Sequence, residues 1–141
     1  MRILFDTSAL AKRYKNEVGR DRVQALLHTA TDVVLAVHTK VEIASSFCRE
    51  LRDQAITQAQ HAQAIDAIEA DFTDFEVRPL NAEIEAYAIA VMQRIRLRAM
   101  DALHIGTAQQ ARVNLFVTAD RKQAQAAQAV GLKTELVEAA L

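Results

Sequence analysis

Asp6, Glu42, Asp101 and Asp120 each stand where a strand should end or a helix should begin. Hard divalent cations such as Mg²⁺ and Mn²⁺ take oxygen ligands, and one or two carboxylates with water and substrate phosphate usually complete the shell. A cation held this way activates water and stabilises charge on a scissile phosphate during in-line attack. Without it, crowded carboxylates repel one another and some of their pKa values rise. The chemistry open to these four residues is phosphodiester hydrolysis without a histidine or cysteine nucleophile. Taken singly, Asp6 and Asp120 read more simply as helix caps, Asp101 as a first-turn helix charge, and Glu42 as a surface partner of Arg49.

The elements around the acids bear on the choice. Ile3 to Phe5 is a short apolar β-type run stopped by Asp6-Thr7-Ser8, with Ser8 placed to cap a helix from Ala9 toward Lys15. Val33-Val34-Leu35, Asn114 to Thr118 and Thr134 to Val137 are further short runs without polar alternation. Such runs suit a parallel sheet covered on both faces. Helical stretches are expected at about Thr39 to Asp53, Thr57 to Phe72, Ala82 to Arg94 and Met100 to Arg112, with a break at Phe75-Glu76-Val77. In the first of these, Ile43, Phe47 and Leu51 form an apolar stripe, while Glu42, Ser46 and Arg49 share another face. Strands alternating with helices give an α/β fold with a mainly parallel sheet and no internal linker, hence one domain over 1–141. In open α/β sheets the crevice beyond the carboxyl ends of the strands is where ligands bind. Asp6 and Asp120 both fall there.

Composition narrows the class. The chain has 141 residues, with 17 basic and 18 acidic side chains, so its formal charge of −1 argues against a polybasic arm protein. Only 3 Gly and 1 Pro interrupt it, which excludes a loop-built or low-complexity protein. Cys48 is the single cysteine, so neither an intrachain disulfide nor a cysteine-based zinc site can form, and it reads as a small buried hydrophobe. An acid at position 6 interrupts any signal-peptide core, and no run approaches the ~18 apolar residues of a membrane span. A cytoplasmic protein without membrane association is expected.

The ordered set of contexts resembles the PIN-domain ribonucleases, and most of all the VapC-type toxins of type II toxin–antitoxin pairs. Asp6-Thr7-Ser8-Ala9-Leu10 with Lys12 is similar to that family's first acidic motif, and Val41-Glu42-Ile43 with Arg49 to its second. Asp101-Ala102-Leu103-His104-Ile105 with Thr107-Ala108 resembles the third, and Thr118-Ala119-Asp120 with Gly131-Leu132 the fourth. The resemblance runs from residue 3 to about 137. It implies a three-layer α/β/α fold around a mainly parallel sheet of four or five strands. It also implies a Mg²⁺-dependent endoribonuclease, with Mn²⁺ as a substitute ion, cutting structured RNA of the translation machinery.

By that resemblance Asp6 and Asp101 are direct metal ligands, and Glu42 and Asp120 water-mediated or second-metal ligands. Thr7, Ser8 and Thr118 hold the carboxylates by hydrogen bonds. Lys12, Arg13 and Arg49 are the expected RNA contacts, with Arg94, Arg96 and Arg98 a further basic cluster before Asp101. His104 reads in this pattern as a packed or hydrogen-bonded structural histidine, and His28, His38 and His61 show no ligand spacing. The partners implied are an RNA substrate and a small VapB-like antitoxin. A homodimer is expected from Ile65, Ile68 and Phe72, read as apolar residues of a surface helix that need cover. A PIN-fold module that binds nucleic acid or protein without turnover is the competing reading. A domain using Asp6 as a phosphate acceptor is disfavoured, because Thr7-Ser8 supplies no second acid beside it.

Overall fold

The structure, a computed structural model, describes residues 1–137. Strand β1 (Arg2–Phe5) lies at the centre of a five-stranded sheet with β2 (Asp32–Ala36), β3 (Glu76–Arg78), β4 (Leu115–Thr118) and β5 (Thr134–Leu136) in the order β3-β2-β1-β4-β5. Every pairing is parallel, with Ile3 opposite both Val33 and Leu115. The helices are α1 (Thr7–Leu10), which runs into a 3₁₀ turn at Ala11–Arg13, then α2 (Arg20–Thr29), α3 (Thr39–Arg52), α4 (Gln58–Phe72), α5 (Ala82–Arg94), α6 (Ala99–Ala111) and α7 (Arg121–Ala129).

Successive strand side chains point to opposite faces, so an apolar run feeds two cores at once. Ile3, Phe5, Leu35, Leu115 and Val117 face one side with residues of α1 to α4. Leu4, Val34 and Phe116 face the other with α5, α6 and α7. This is the expected three-layer α/β/α arrangement. Phe5 and Phe116 are fully buried, and burying side chains of that size contributes roughly 1.5–3 kcal/mol each.

Four local expectations are corrected. The cap of the first helix is Asp6, whose carboxylate accepts from the Ala9 N–H; Ser8 lies inside the helix and donates to Asp6 instead. Strand β3 occupies the stretch read as a break. It is a three-residue edge strand in which Glu76 pairs with Arg2 and Arg78, so the sheet margin is charged and carries no apolar signature. Ile65, Ile68 and Phe72 are not an uncovered face: Ile68 is buried in the core and the other two pack against it. Cys48 is only half-buried, with Sγ 3.8 Å from His61 Nε2.

Candidate metal centre

The order β3-β2-β1-β4-β5 places β2 on one side of β1 and β4 on the other, so the connections diverge at the carboxyl end of β1. Open parallel sheets bind ligands at such a switch point. Asp6 directly follows β1 there, and its backbone N–H donates to Val117 O at 3.0 Å. Its carboxylate is only 4% exposed and accepts three hydrogen bonds: from Ser8 Oγ at 2.7 Å, Ala9 N at 3.0 Å and Thr118 Oγ1 at 2.5 Å. Burial nevertheless pushes the Asp6 carboxyl above its ordinary range, against the opposing pull of His104 and of these donors. The same hydroxyls tie in the end of β4: Ser8 Oγ accepts from Ala119 N–H at 2.9 Å, and Thr118 Oγ1 from Asp120 N–H at 3.0 Å.

Asp120 caps α7, accepting from the Lys122 and Gln123 N–H groups at 2.8 and 3.3 Å. Asp101 lies in the first turn of α6, with Arg98 Nε 3.3 Å from its carboxylate. Glu42 lies in the first turn of α3. Each of the four acids thus sits at or near a helix amino end, where the helix dipole favours a negative charge.

Glu42 is held differently from Asp6. Its Oε1 accepts from Thr7 Oγ1 at 2.5 Å and lies 3.1 Å from His104 Nε2 and 3.5 Å from His38 Nε2. Burial would raise its pKa, but the bonds from His104 and Thr7 and the fields of His104 and His38 prevail, bringing it to about 2. Burial and the neighbouring His104 lower the His38 pKa below its ordinary value, against the opposing pull of Glu42. The rings of His38 and His104 are 4.3 Å apart between centroids.

Among the described residues, the only group of three or more His, Cys, Asp or Glu side chains with ligand atoms all within 4.8 Å of one another is His38, Glu42 and His104. Asp6, Asp101 and Asp120 share one sheet edge but form no such group. His38 was missed in the sequence, although its place four residues before Glu42 on one helix face was the available signal. Gln123 was also missed. Buried on α7, it donates from Nε2 to Asp101 O at 2.9 Å and so fixes the backbone of the third motif; nothing in its Ala/Gln-rich surroundings marks it.

The expected RNA contacts divide. Lys12 is buried, its Nζ donating to Val18 O at 2.7 Å and lying 3.6 Å from Glu17. Arg13 donates from Nε and Nη2 to Asp71 at 2.5 and 3.1 Å, and from Nη1 to Gln24 at 2.6 Å. Both cations are engaged within the fold. Arg49 is exposed on α3, as are Arg94, Arg96 and Arg98 before α6.

The PIN-domain family model matches residues 3–129. No curated protein matches the chain by sequence. Several solved structures share the fold. FitAcB from Neisseria gonorrhoeae aligns with a TM-score of 0.74 at 19% identity, over 94% of this chain and 95% of that one. VapC20 from Mycobacterium tuberculosis, a sarcin–ricin loop cleaving toxin, aligns at 0.68 and 17%, over 92% and 95%. A toxin–antitoxin complex from Klebsiella pneumoniae aligns at 0.65 and 21%, over 86% and 88%. The family match runs from β1 through α7 and includes all four acids, and the chain belongs to the PIN-domain family.

Proposed function

We propose that this PIN domain is a Mg²⁺-dependent endoribonuclease and the toxin of a toxin–antitoxin pair. The observation that carries the reading is Asp6: a buried carboxylate at the switch point of the sheet, held by three donors yet with its ionised form disfavoured. Such a group is suited to a cation that offsets its charge. The other donors are carboxylate oxygens on the same edge, the chemistry a hard cation requires. Asp6 and Asp101 would hold Mg²⁺ directly, with Asp120 and Glu42 reaching it through water. When bound, Mg²⁺ supplies activation of water and stabilisation of charge on the phosphate.

The chain's own residues set the geometry. Ser8, Ala9 and Thr118 fix the Asp6 carboxylate, Thr7 and His104 fix Glu42, and Gln123 fixes the backbone at Asp101. Because Lys12 and Arg13 are engaged elsewhere, contact with RNA phosphates falls to Arg49 and to the exposed arginines from 94 to 98. The RNA target and the antitoxin are proposed by likeness to toxins such as VapC20 and to the toxin–antitoxin complexes. A homodimer stays within the proposal but needs a face other than α4. Val37, Val41 and Ile89 are exposed apolar candidates, and light scattering at micromolar concentration tests it.

The direct test incubates antitoxin-free protein with ribosomes and total RNA in Mg²⁺ and maps the new RNA ends. Discrete cuts, absent with a chelator and in Asp101→Asn, are expected. If Asp101→Asn cleaves like the wild type, or no RNA is cut, the nuclease reading fails. Metal binding without cleavage would support a binding module instead.

A further inference from the structure

His38, Glu42 and His104 are more than a hydrogen-bonded cluster. His38 and Glu42 occupy positions i and i+4 at the start of α3, the spacing by which one helical face presents two metal ligands. His104 arrives from α6, so the three side chains come from two packed elements. The Nδ1 atoms of both histidines are buried without a partner, so each ring directs its polar contacts through Nε2. His104 Nε2 faces Glu42 Oε1 and Thr7 Oγ1, and His38 Nε2 faces Glu42 Oε1 and Met100 O, the last at 2.9 Å.

A tetrahedral Zn²⁺ with bonds of about 2.0–2.1 Å sets neighbouring ligand atoms about 3.3 Å apart. The two Glu42-to-imidazole separations, 3.1 and 3.5 Å, bracket that value. Two imidazoles and one carboxylate are a donor set for a borderline cation, whereas Mg²⁺ demands an octahedral oxygen shell. We propose that His38, Glu42 and His104 form a second metal site, for Zn²⁺ or a cation of its class, which shares Glu42 with the acidic site. The ion takes the place of the Glu42–imidazole hydrogen bonds and of the His38–Met100 bond, and a water fills the fourth position. The assignment stands on this geometry alone. Its consequence rests on the nuclease reading: Zn²⁺ withdraws Glu42 from the acidic site, so Zn²⁺ inhibits Mg²⁺-dependent cleavage.

The test titrates the chelator-stripped chain with Zn²⁺ against a chromophoric chelator. One tight equivalent is expected, not displaced by excess Mg²⁺. Even residues that only support a metal ligand cost about 10–100-fold in affinity when removed, so His38→Gln should weaken Zn²⁺ by about 100-fold. Asp101→Asn should weaken Zn²⁺ far less than His38→Gln does. His104 is buried and its variants are liable to misfold, so X-ray absorption of the wild-type Zn²⁺ complex supplies the second readout, with two imidazole nitrogens expected in the shell. The proposal is overturned by the absence of tight Zn²⁺ binding, by an all-oxygen shell, by full affinity in His38→Gln, or by loss of Zn²⁺ in Asp101→Asn. Tight Zn²⁺ binding in a chain that cuts no RNA would uphold the site and sink the nuclease reading. RNA cleavage without Zn²⁺ binding would do the reverse.

Discussion

Thr118→Val removes one hydroxyl from the centre of the acid network and keeps the side chain's outline. That hydroxyl donates to Asp6 Oδ2 at 2.5 Å and accepts from Asp120 N–H at 3.0 Å, at a position with no solvent exposure. A hydrogen bond to a charged group contributes about 1.5–3 kcal/mol, and the Asp120 N–H loses its acceptor as well. A loss of about 3 kcal/mol at pH ~7 is expected, or roughly 10 °C in Tm for a chain of this length. The loss should also depend on pH, with a definite sign. The folded Asp6 carboxyl titrates above the ordinary 3.8, so the folded chain binds this proton more tightly than the unfolded one. The stability gained from that protonation is lost as pH rises through the folded pKa. Without Thr118 the folded pKa moves higher still. The variant's deficit should therefore be full at pH ~7 and shrink toward the ~1 kcal/mol of an ordinary hydrogen bond near pH ~4. Urea denaturation of both proteins across that range measures it. A deficit that is flat with pH, or larger in acid, refutes this account of Asp6.

Gly106→Ala should cost about 2–3 kcal/mol by calorimetry, although alanine favours a helix by up to ~1 kcal/mol. An added Cβ would stand 2.7 Å from Ile84 O and 3.1 Å from Ala88 N, so α5 would have to move off α6. Arg13→Ala should lose about 1–2 kcal/mol, with ~1 kcal/mol of coupling to Asp71→Ala in a double-mutant cycle, because both residues are partly exposed. RNA cleavage per folded molecule should not change, whereas a large drop would restore Arg13 as an RNA contact. Mg²⁺ at ~100 times its Kd should stabilise the chain by about 2.7 kcal/mol, and Asp6→Asn should abolish that gain; an equal gain in both, read by thermal denaturation, would remove Asp6 from the metal site.

What was legible in the sequence follows from how each element is stabilised. Strands β1, β2 and β4 were visible because residues on both of their faces feed the two cores, which forces apolar runs, whereas β5 is half-buried and showed only as the short run Thr134 to Val137. Helices α3 to α6 showed their formers and their breaks, and they lie within one or two residues of expectation. Strand β3 was invisible because an edge strand of Glu76, Val77 and Arg78 is held by backbone pairing and ion pairs. Helix α7 packs through Ala124, Ala126 and Ala127, whose methyl groups leave no stripe. The acids could be placed because each follows a strand end or opens a helix. The internal partners of Lys12 and Arg13 were hidden for the converse reason. A positive charge in a sequence does not show whether its acceptor is a phosphate or an internal oxygen, and Asp71 lies 58 residues from Arg13.

Asp6 and Glu42 show why the site does not reduce to four equivalent acids. Burial acts on both in the same direction, toward the protonated form. Glu42 escapes because two imidazoles and the Thr7 hydroxyl converge on it, and its ionised form is the stable one. Asp6 has hydroxyl and amide donors but no cation in hydrogen-bonding contact, and these donors do not offset its burial. Environments that push two neighbouring carboxyl groups apart divide their roles. In the proposed metal site a compensating cation would therefore act chiefly at the β1–β4 end of the sheet edge, around Asp6. Thr7 and Ser8, adjacent in sequence, keep the two regimes distinct: the Thr7 hydroxyl points to Glu42 and the Ser8 hydroxyl to Asp6. A single helical turn after β1 thus serves both acids, each through its own hydroxyl.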